Sequence, residues 1–210
     1  EKALVINFFH EKSHNNIAYE FFLKTGPLAI LPMQKEKKGH QSALIWSNKP
    51  EIVDLIMSSG FQNQFLKEIL NEKIYPQLGR VTKINSIQAF SLSAHINERF
   101  YDNKIIYVGD AAHSIHPIAG QGWNLGVNDV KNLYELSQNR NIEIGSDLFC
   151  QMYNNKSYHK AFQLFQITDR LNSHFINSGN LYRFLSNVGF EHIEKNQSLK
   201  NKITKYAMGV

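Results

Sequence analysis

The chain has 210 residues, 42% of them hydrophobic and 12% aromatic, which is enough for a globular core. Its formal net charge is +5, but the Lys and Arg residues are scattered and no nucleic-acid-binding motif is present. Cys150 is the single cysteine, which excludes an internal disulfide and fits a reducing cytosol, and no apolar run approaches the about 20 residues that span a bilayer.

In chain order, residues 3–9, 18–23, 28–31 and 42–46 read as strands joined by polar or Gly-containing turns, which predicts an antiparallel sheet. Lys35, Lys37 and Lys38, beside Gly39, form the densest basic cluster and read as an exposed hairpin turn. Residues 50–57 and 61–74 read as helices, the second with Phe61, Phe65, Ile69 and Leu70 at helical spacing. Residues 87–94 give another strand, with Phe90 and Leu92 on one face. Phe8, Phe22 and Trp46 read as core rather than cavity lining.

Residues 105–129, IIYVGDAAHSIHPIAGQGWNLGVND, carry the chemistry. Ile105, Ile106, Tyr107 and Val108 suit a buried strand. Gly109 permits a close backbone approach, and Asp110 follows where a carboxylate accepts hydrogen bonds from ribose or ribityl hydroxyls. Pro117 fixes the loop backbone. Gly120, Gln121 and Gly122 precede a helix with apolar residues at Leu125, Val130, Leu133, Tyr134 and Leu136. The first amides of that helix, around Trp123 and Asn124, have no internal partners and favour negative charge. Asp129 is placed to favour the helix dipole. The glycines are spaced as Gly120, Gly122 and Gly126, which is not the dinucleotide fingerprint G-x-G-x-x-G. From the residues alone the run is a cofactor or anion loop. A plain turn with a helix cap is the competing reading.

Residues 139–145 form a polar loop, and Ser146 and Asp147 cap a long helix running through Tyr153, Phe162, Phe165 and Leu171. Cys150 lies in that helix as a packed apolar residue. Residues 179–188 and 198–206 read as further helices. The carboxyl-terminal helices carry apolar faces expected to need a partner.

The string Gly109-Asp110-Ala111-Ala112-His113, then Pro117, Gly120-Gln121-Gly122, Asn124, Gly126 and Asp129, resembles the second flavin motif of class A flavoprotein monooxygenases. Within that group the chain resembles most the ubiquinone-biosynthesis hydroxylases. Gly26-Pro27-Leu28-Ala29-Ile30-Leu31-Pro32 with Leu44-Ile45-Trp46-Ser47 is similar to their GPLALLP…LVW stretch. Thr168-Asp169-Arg170-Leu171-Asn172 and Ala207-Met208-Gly209 are similar to their carboxyl-terminal helices.

The resemblance implies an α+β or α/β class A flavin monooxygenase fold, with a substrate-domain sheet in residues 1–98. Residues 99–210 would supply the flavin-motif strand, loop and helix and the carboxyl-terminal helices. It implies FAD as cofactor and NAD(P)H as electron donor, with a polyprenylated phenol as the substrate. No metal is implied, and neither His113 nor His116 receives a catalytic role. Asp110 would bond the ribityl or pyrophosphate region. Pro117 would border the flavin ring, and Gly109 and residues 120–124 (Gly120, Gln121, Gly122, Trp123 and Asn124) would complete the site.

The family begins with a G-x-G-x-x-G strand, turn and helix that bind the ADP half of FAD, and this chain opens at Glu1 without one. It therefore reads as a carboxyl-terminal portion lacking its amino-terminal FAD-binding half, inactive by itself. A partner-dependent half of a split flavoprotein, an inactive remnant and a hydroxylase of smaller phenols are the alternatives. Other ubiquinone-biosynthesis proteins are further expected partners. The long apolar substrate tail implies peripheral association at the inner membrane face.

Overall fold

A computed structural model describes residues 1–35, 39–59, 64–117, 120–177 and 192–208. Two compact units emerge, Glu1–Leu92 and Ser93–Val210.

The first unit is a five-stranded antiparallel sheet in the order β2-β3-β4-β1-β5. Its strands are β1 (Lys2–His10), β2 (Tyr19–Leu23), β3 (Gly26–Pro32), β4 (His40–Asn48) and β5 (Val81–Ser91). Alternation places Leu4, Ile6 and Phe8 on one face of β1. The register then builds cross-strand rows, Leu28–Trp46–Leu4–Ala89 and Ile30–Leu44–Ile6–Ile87. Helices α1 (Pro50–Ser59) and α2 (Gln64–Leu78) supply the same core with Val53 and Ile56, and with Leu66, Leu70, Ile74 and Leu78 at four-residue steps. Each such side chain contributes about 1.5–3 kcal/mol on burial. Phe8 and Trp46 are buried in this core as expected, whereas Phe22 is exposed.

The β2–β3 hairpin turns through Lys24 and Thr25, with Leu23 paired to Gly26. A Cβ at Gly26, whose φ is +130°, would stand 2.0 Å from the Ser47 carbonyl oxygen. Only glycine fits there. The expected strand over residues 87–94 is corrected to Val81–Ser91, because Val81, Lys83, Ile84 and Ser86 pair with the second half of β1, with register shifts at Thr82 and Asn85. Phe61, Lys37 and Lys38 lie outside the described residues.

The second unit has short ladders and long helices. Strand β6 (His95–Ile96) pairs with β9 (His113–Ser114), and β7 (Tyr101–Asp102) with β8 (Ile105–Ile106), both antiparallel. The expected buried strand over residues 105–108 is therefore only two residues long, and Ile105 is 57% exposed. Its ladder has one neighbour among the described residues, so nothing there extends the pairing through Tyr107 and Val108. Helix α3 (Gly122–Ser137) packs on α4 (Asp147–Asn177), and a last helix, α5, spans Gln197–Met208.

Ser146 caps α4 as expected, its Oγ accepting the Phe149 N–H at 3.2 Å. Asn196 Oδ1 caps α5 by accepting the Leu199 N–H at 3.0 Å. Phe100, Ala112, Ile115, Leu125, Phe149, Tyr153 and Ala161 form this unit's core. Cys150 is buried in α4. The expected helix over residues 179–188 lies outside the described residues. Among the described residues no helix is long and apolar enough to cross a membrane.

Candidate functional site

The backbone changes direction where the sequence changes character. Val108 is extended, at φ −135° and ψ 141°, and Gly109 then takes φ +58°. A single 3-10 turn, Gly109–Ala111, follows, closed by the Ala112 N–H donating to the Gly109 carbonyl at 2.8 Å. This turn presents Asp110 to solvent at the tip. It is fastened from one side by His95 Nε2, 3.1 Å from the Asp110 carbonyl, and by Asn97 Nδ2 donating to the Ala111 carbonyl at 2.9 Å.

The chain then passes through buried His113, Ile115 and His116 to exposed Pro117. Gly120 donates its N–H to the Pro117 carbonyl at 2.9 Å and has φ +60°. A Cβ built on Gly120 would meet nothing within 4 Å. That conformation favours glycine, and the space beside it is open.

Helix α3 starts immediately afterwards. Its intrahelical ladder begins with the Leu125 N–H to the Gln121 carbonyl, at 3.0 Å. The amides of Gly122, Trp123 and Asn124 therefore precede the ladder. Gln121 makes no side-chain cap, and the first turn holds no acid to offset the dipole. Asn124 Nδ2 bonds Gln121 Oε1 at 3.2 Å, and Trp123 is 81% exposed. An open glycine turn leading into an uncapped helix terminus fits an anionic or electron-rich group, such as the pyrimidine edge of a flavin.

Gly109 and Gly126 bring the acidic turn and the helix together. A Cβ on Gly126 would lie 3.5 Å from the Gly109 Cα. Three residues further along the same helix face, Asp129 is fully buried and its Oδ2 accepts two hydrogen bonds. One comes from the Gly109 N–H at 3.1 Å and the other from His113 Nε2 at 2.6 Å. The expected role of Asp129, favouring the helix dipole, is thus corrected. It stands two turns into α3, beyond the reach of the amino-terminal charge, and serves the loop instead.

Of the apolar residues expected at helical spacing in α3, Leu125 and Leu136 are buried and Leu133 packs against the core, whereas Val130 and Tyr134 are exposed. Asp129 and Asn132 share the buried face, with Asn132 Nδ2 donating to Ser157 Oγ at 2.9 Å. Trp123, Val127, Val130 and Tyr134 occupy an outward stripe at the same spacing. Tyr153 sits beneath the loop, its hydroxyl donating to the Tyr107 carbonyl at 3.0 Å. Burial, and secondarily the Asp129 charge, pushes that phenol above its usual range, against a smaller opposing effect of Ser157.

The sequence reading missed the His113–Asp129 pair. The signal was available in the three-residue spacing from Gly126 to Asp129, which puts a residue without a side chain and a carboxylate on one helix face.

Residues 4–137 match the model of a family described as FAD binding domain. A ubiquinone hydroxylase, UbiL, from Rhodospirillum rubrum is 30% identical over 212 residues, covering 100% of this chain and 48% of the relative. The 3-demethoxyubiquinol 3-hydroxylase of Escherichia coli is 28% identical and covers 100% and 53%. Among solved structures, p-nitrophenol 4-monooxygenase PnpA from Pseudomonas putida superposes with a TM-score of 0.72 at 18% identity, covering 99% of this chain and 53% of that one. PqsL from Pseudomonas aeruginosa gives a TM-score of 0.67 at 15% identity, covering 84% and 48%. These likenesses establish the fold, and the chain spans about half the length of the curated relatives it matches.

Proposed function

Because the chain belongs to the FAD binding domain family, we propose that it carries the flavin-ring loop of an FAD-dependent monooxygenase that hydroxylates a polyprenylated phenol in ubiquinone biosynthesis. The observation that supports this best is the amino terminus of α3, which has no side-chain cap and directly follows Gly120, where a Cβ would meet nothing within 4 Å. When bound, FAD supplies the oxygen-activating redox chemistry, with NAD(P)H as electron source.

The chain's own residues bind and orient. The amides of Gly122, Trp123 and Asn124 donate towards the ring edge, where negative charge collects on reduction, and Gly120 and Gln121 shape the turn beside it. Asp110, at the exposed tip of its turn, accepts from ribityl hydroxyls, and Gly109 lets that turn approach α3. Pro117 borders the ring on the substrate side and holds the loop rigid. The apolar tail of such a substrate draws the enzyme to the inner face of a membrane.

One observation favours a second reading, in which this chain acts as half of an assembled flavoprotein. The stripe Trp123, Val127, Val130 and Tyr134 faces outward, with Tyr134 65% exposed, and an apolar surface of this kind suits a covering partner. That partner would be a segment carrying the ADP-binding G-x-G-x-x-G turn.

An FAD titration of the chain, alone and mixed with such a domain, followed by flavin absorbance and fluorescence, tests both readings. Binding that weakens on Asp110→Ala supports the flavin site. Binding by the chain alone removes the need for a partner, and binding only in the mixture favours the assembled form. No binding in either arm overturns both readings. Turnover of prenylated against plain phenols by the assembled enzyme then separates the quinone-pathway reading from a hydroxylase of smaller phenols, such as the p-nitrophenol enzyme that shares the fold.

A further inference from the structure

We propose that Asp129 is a positioning residue for the flavin loop, setting the Gly109–Asp110 turn against α3 through the Gly109 N–H and His113. The proposal rests on the flavin reading of the loop for its functional consequence, but its geometry stands independently.

Three features of α3 converge on that turn. Gly126 stands against Gly109, whose Cα lies 3.5 Å from where a Cβ on Gly126 would be, an ordinary contact distance, so helix and turn are packed together here. Asp129, on the same face, reaches the Gly109 N–H at 3.1 Å, which orients the Val108–Gly109 peptide from which the Asp110 turn starts. The same oxygen receives His113 Nε2 at 2.6 Å, so the far end of the GDAAH segment is held by the atom that holds its beginning. One carboxylate oxygen therefore spans residues 109–113, with Asp110 between the two fastenings. The Phe100 ring packs against His113 with centroids 5.4 Å apart, which limits the imidazole to that orientation.

A purely structural role explains this arrangement poorly. Asp129 is fully buried, and its Oδ1 has no hydrogen-bond partner among the described residues. A half-satisfied buried carboxylate weakens a core, and a leucine of similar size packs at lower cost. Holding a charge there gains nothing for α3 itself. It gains a fixed direction for the Gly109 amide and hence for the carboxylate of Asp110.

The test compares Asp129→Leu and Asp129→Asn in the full chain by native-state amide hydrogen exchange, ring nitrogen chemical shifts and FAD titration. Asp129→Leu removes both fastenings. Gly109 exchange is expected to rise roughly tenfold or more, the loss of one hydrogen bond to a charged group, while amides in the middle of α4 keep their protection. FAD affinity is expected to fall by a similar factor. Asp129→Asn can place its amide oxygen where Oδ2 stands, accepting from both the Gly109 N–H and His113 Nε2. It is expected to restore most of the Gly109 protection and to leave the ring proton of His113 on Nε2, visible in the nitrogen shifts.

Unchanged Gly109 exchange in Asp129→Leu overturns the proposal, as does equal loosening of α4 and Gly109. If FAD fails to bind the wild-type protein in every arm, the flavin reading fails while the exchange arm still decides the positioning. Should Asp129→Leu not fold, scalar coupling across the Gly109 N–H to Asp129 hydrogen bond in the wild-type protein decides instead. Its presence upholds the fastening and its absence overturns it.

Discussion

The sheet unit and the motif unit arrange their residues in opposite ways. In Glu1–Leu92 the buried apolar rows of β1, β3 and β4 point into one core. In the second unit, α3 turns Asp129 and Asn132 inward and Trp123, Val127, Val130 and Tyr134 outward. Two glycines differ in the same sense. Gly26 is glycine because the Ser47 carbonyl fills the place of its Cβ, whereas at Gly120 a Cβ would meet nothing within 4 Å and only the φ of +60° calls for glycine. Gly145, at φ +84°, is as open, so what sets Gly120 apart is its place just before the first amides of α3.

The sharpest way to break this contrast is to add one methyl group in each unit. Gly26→Ala puts a Cβ 2.0 Å from a backbone oxygen at φ +130°, so neither side-chain motion nor relaxed torsions relieve it. A loss of about 3 kcal/mol or more is expected, read as a lower urea midpoint with an unchanged slope. A loss below about 1 kcal/mol is within what backbone adjustment absorbs and would remove the steric half of the comparison.

The matching change, Gly120→Ala, has nothing within 4 Å to strike and pays only for its left-handed φ of +60°. That cost is about 1–2 kcal/mol. Stability should fall only modestly, while FAD affinity should drop more than stability does, because the added methyl enters the space in front of the α3 amides. Equal affinity of variant and wild type would falsify the assignment of that space to a ligand.

The difference between the units also governs how much was legible in the sequence. Strands β1 to β4 were readable because their apolar residues alternate and their turns are polar. The first half of β5 was not, since Thr82, Lys83, Asn85 and Ser86 look like a loop until β1 supplies a partner along its full length. In α3 the helical spacing was visible, but spacing alone does not say which residues face inward. Leu125 and Leu136 are buried, Val130 and Tyr134 are exposed, and Asp129 and Asn132 share the buried face through hydrogen bonds. The flavin-type loop was legible because glycine, proline and aspartate have specific backbone consequences. The His113–Asp129 pair was not, because a carboxylate early in a helix ordinarily serves the dipole.

The smallest expected effect is a pH slope, and it sharpens the contrast through two buried histidines, His113 and His10. His113 faces the carboxylate of Asp129. Among the described residues no acid acts on His10, at the end of β1. Its Nδ1–H donates to the Lys12 carbonyl at 2.8 Å, and Nε2 lies 3.0 Å from the Ser42 hydroxyl. The rings of His14 and His40 stand 6.0 and 6.1 Å away. Burial lowers its pKa below the ordinary 6.5; the Lys12 carbonyl opposes it by less, repulsion from His14 and then His40 lowers it further, and a weaker bond to the Gln41 backbone raises it. The folded chain therefore binds a proton at His10 less readily than the unfolded chain does. The contribution of His10 to stability is complete above about pH 6.5, and as pH falls below that value the unfolded state takes up the proton first and stability is lost. In His10→Asn the urea midpoint should be lower at neutral pH but should decline less steeply on acidification from pH 6.5. An equal slope in variant and wild type would mean that His14, His40 or groups elsewhere carry the titration, and that the sheet unit does not hold His10 neutral.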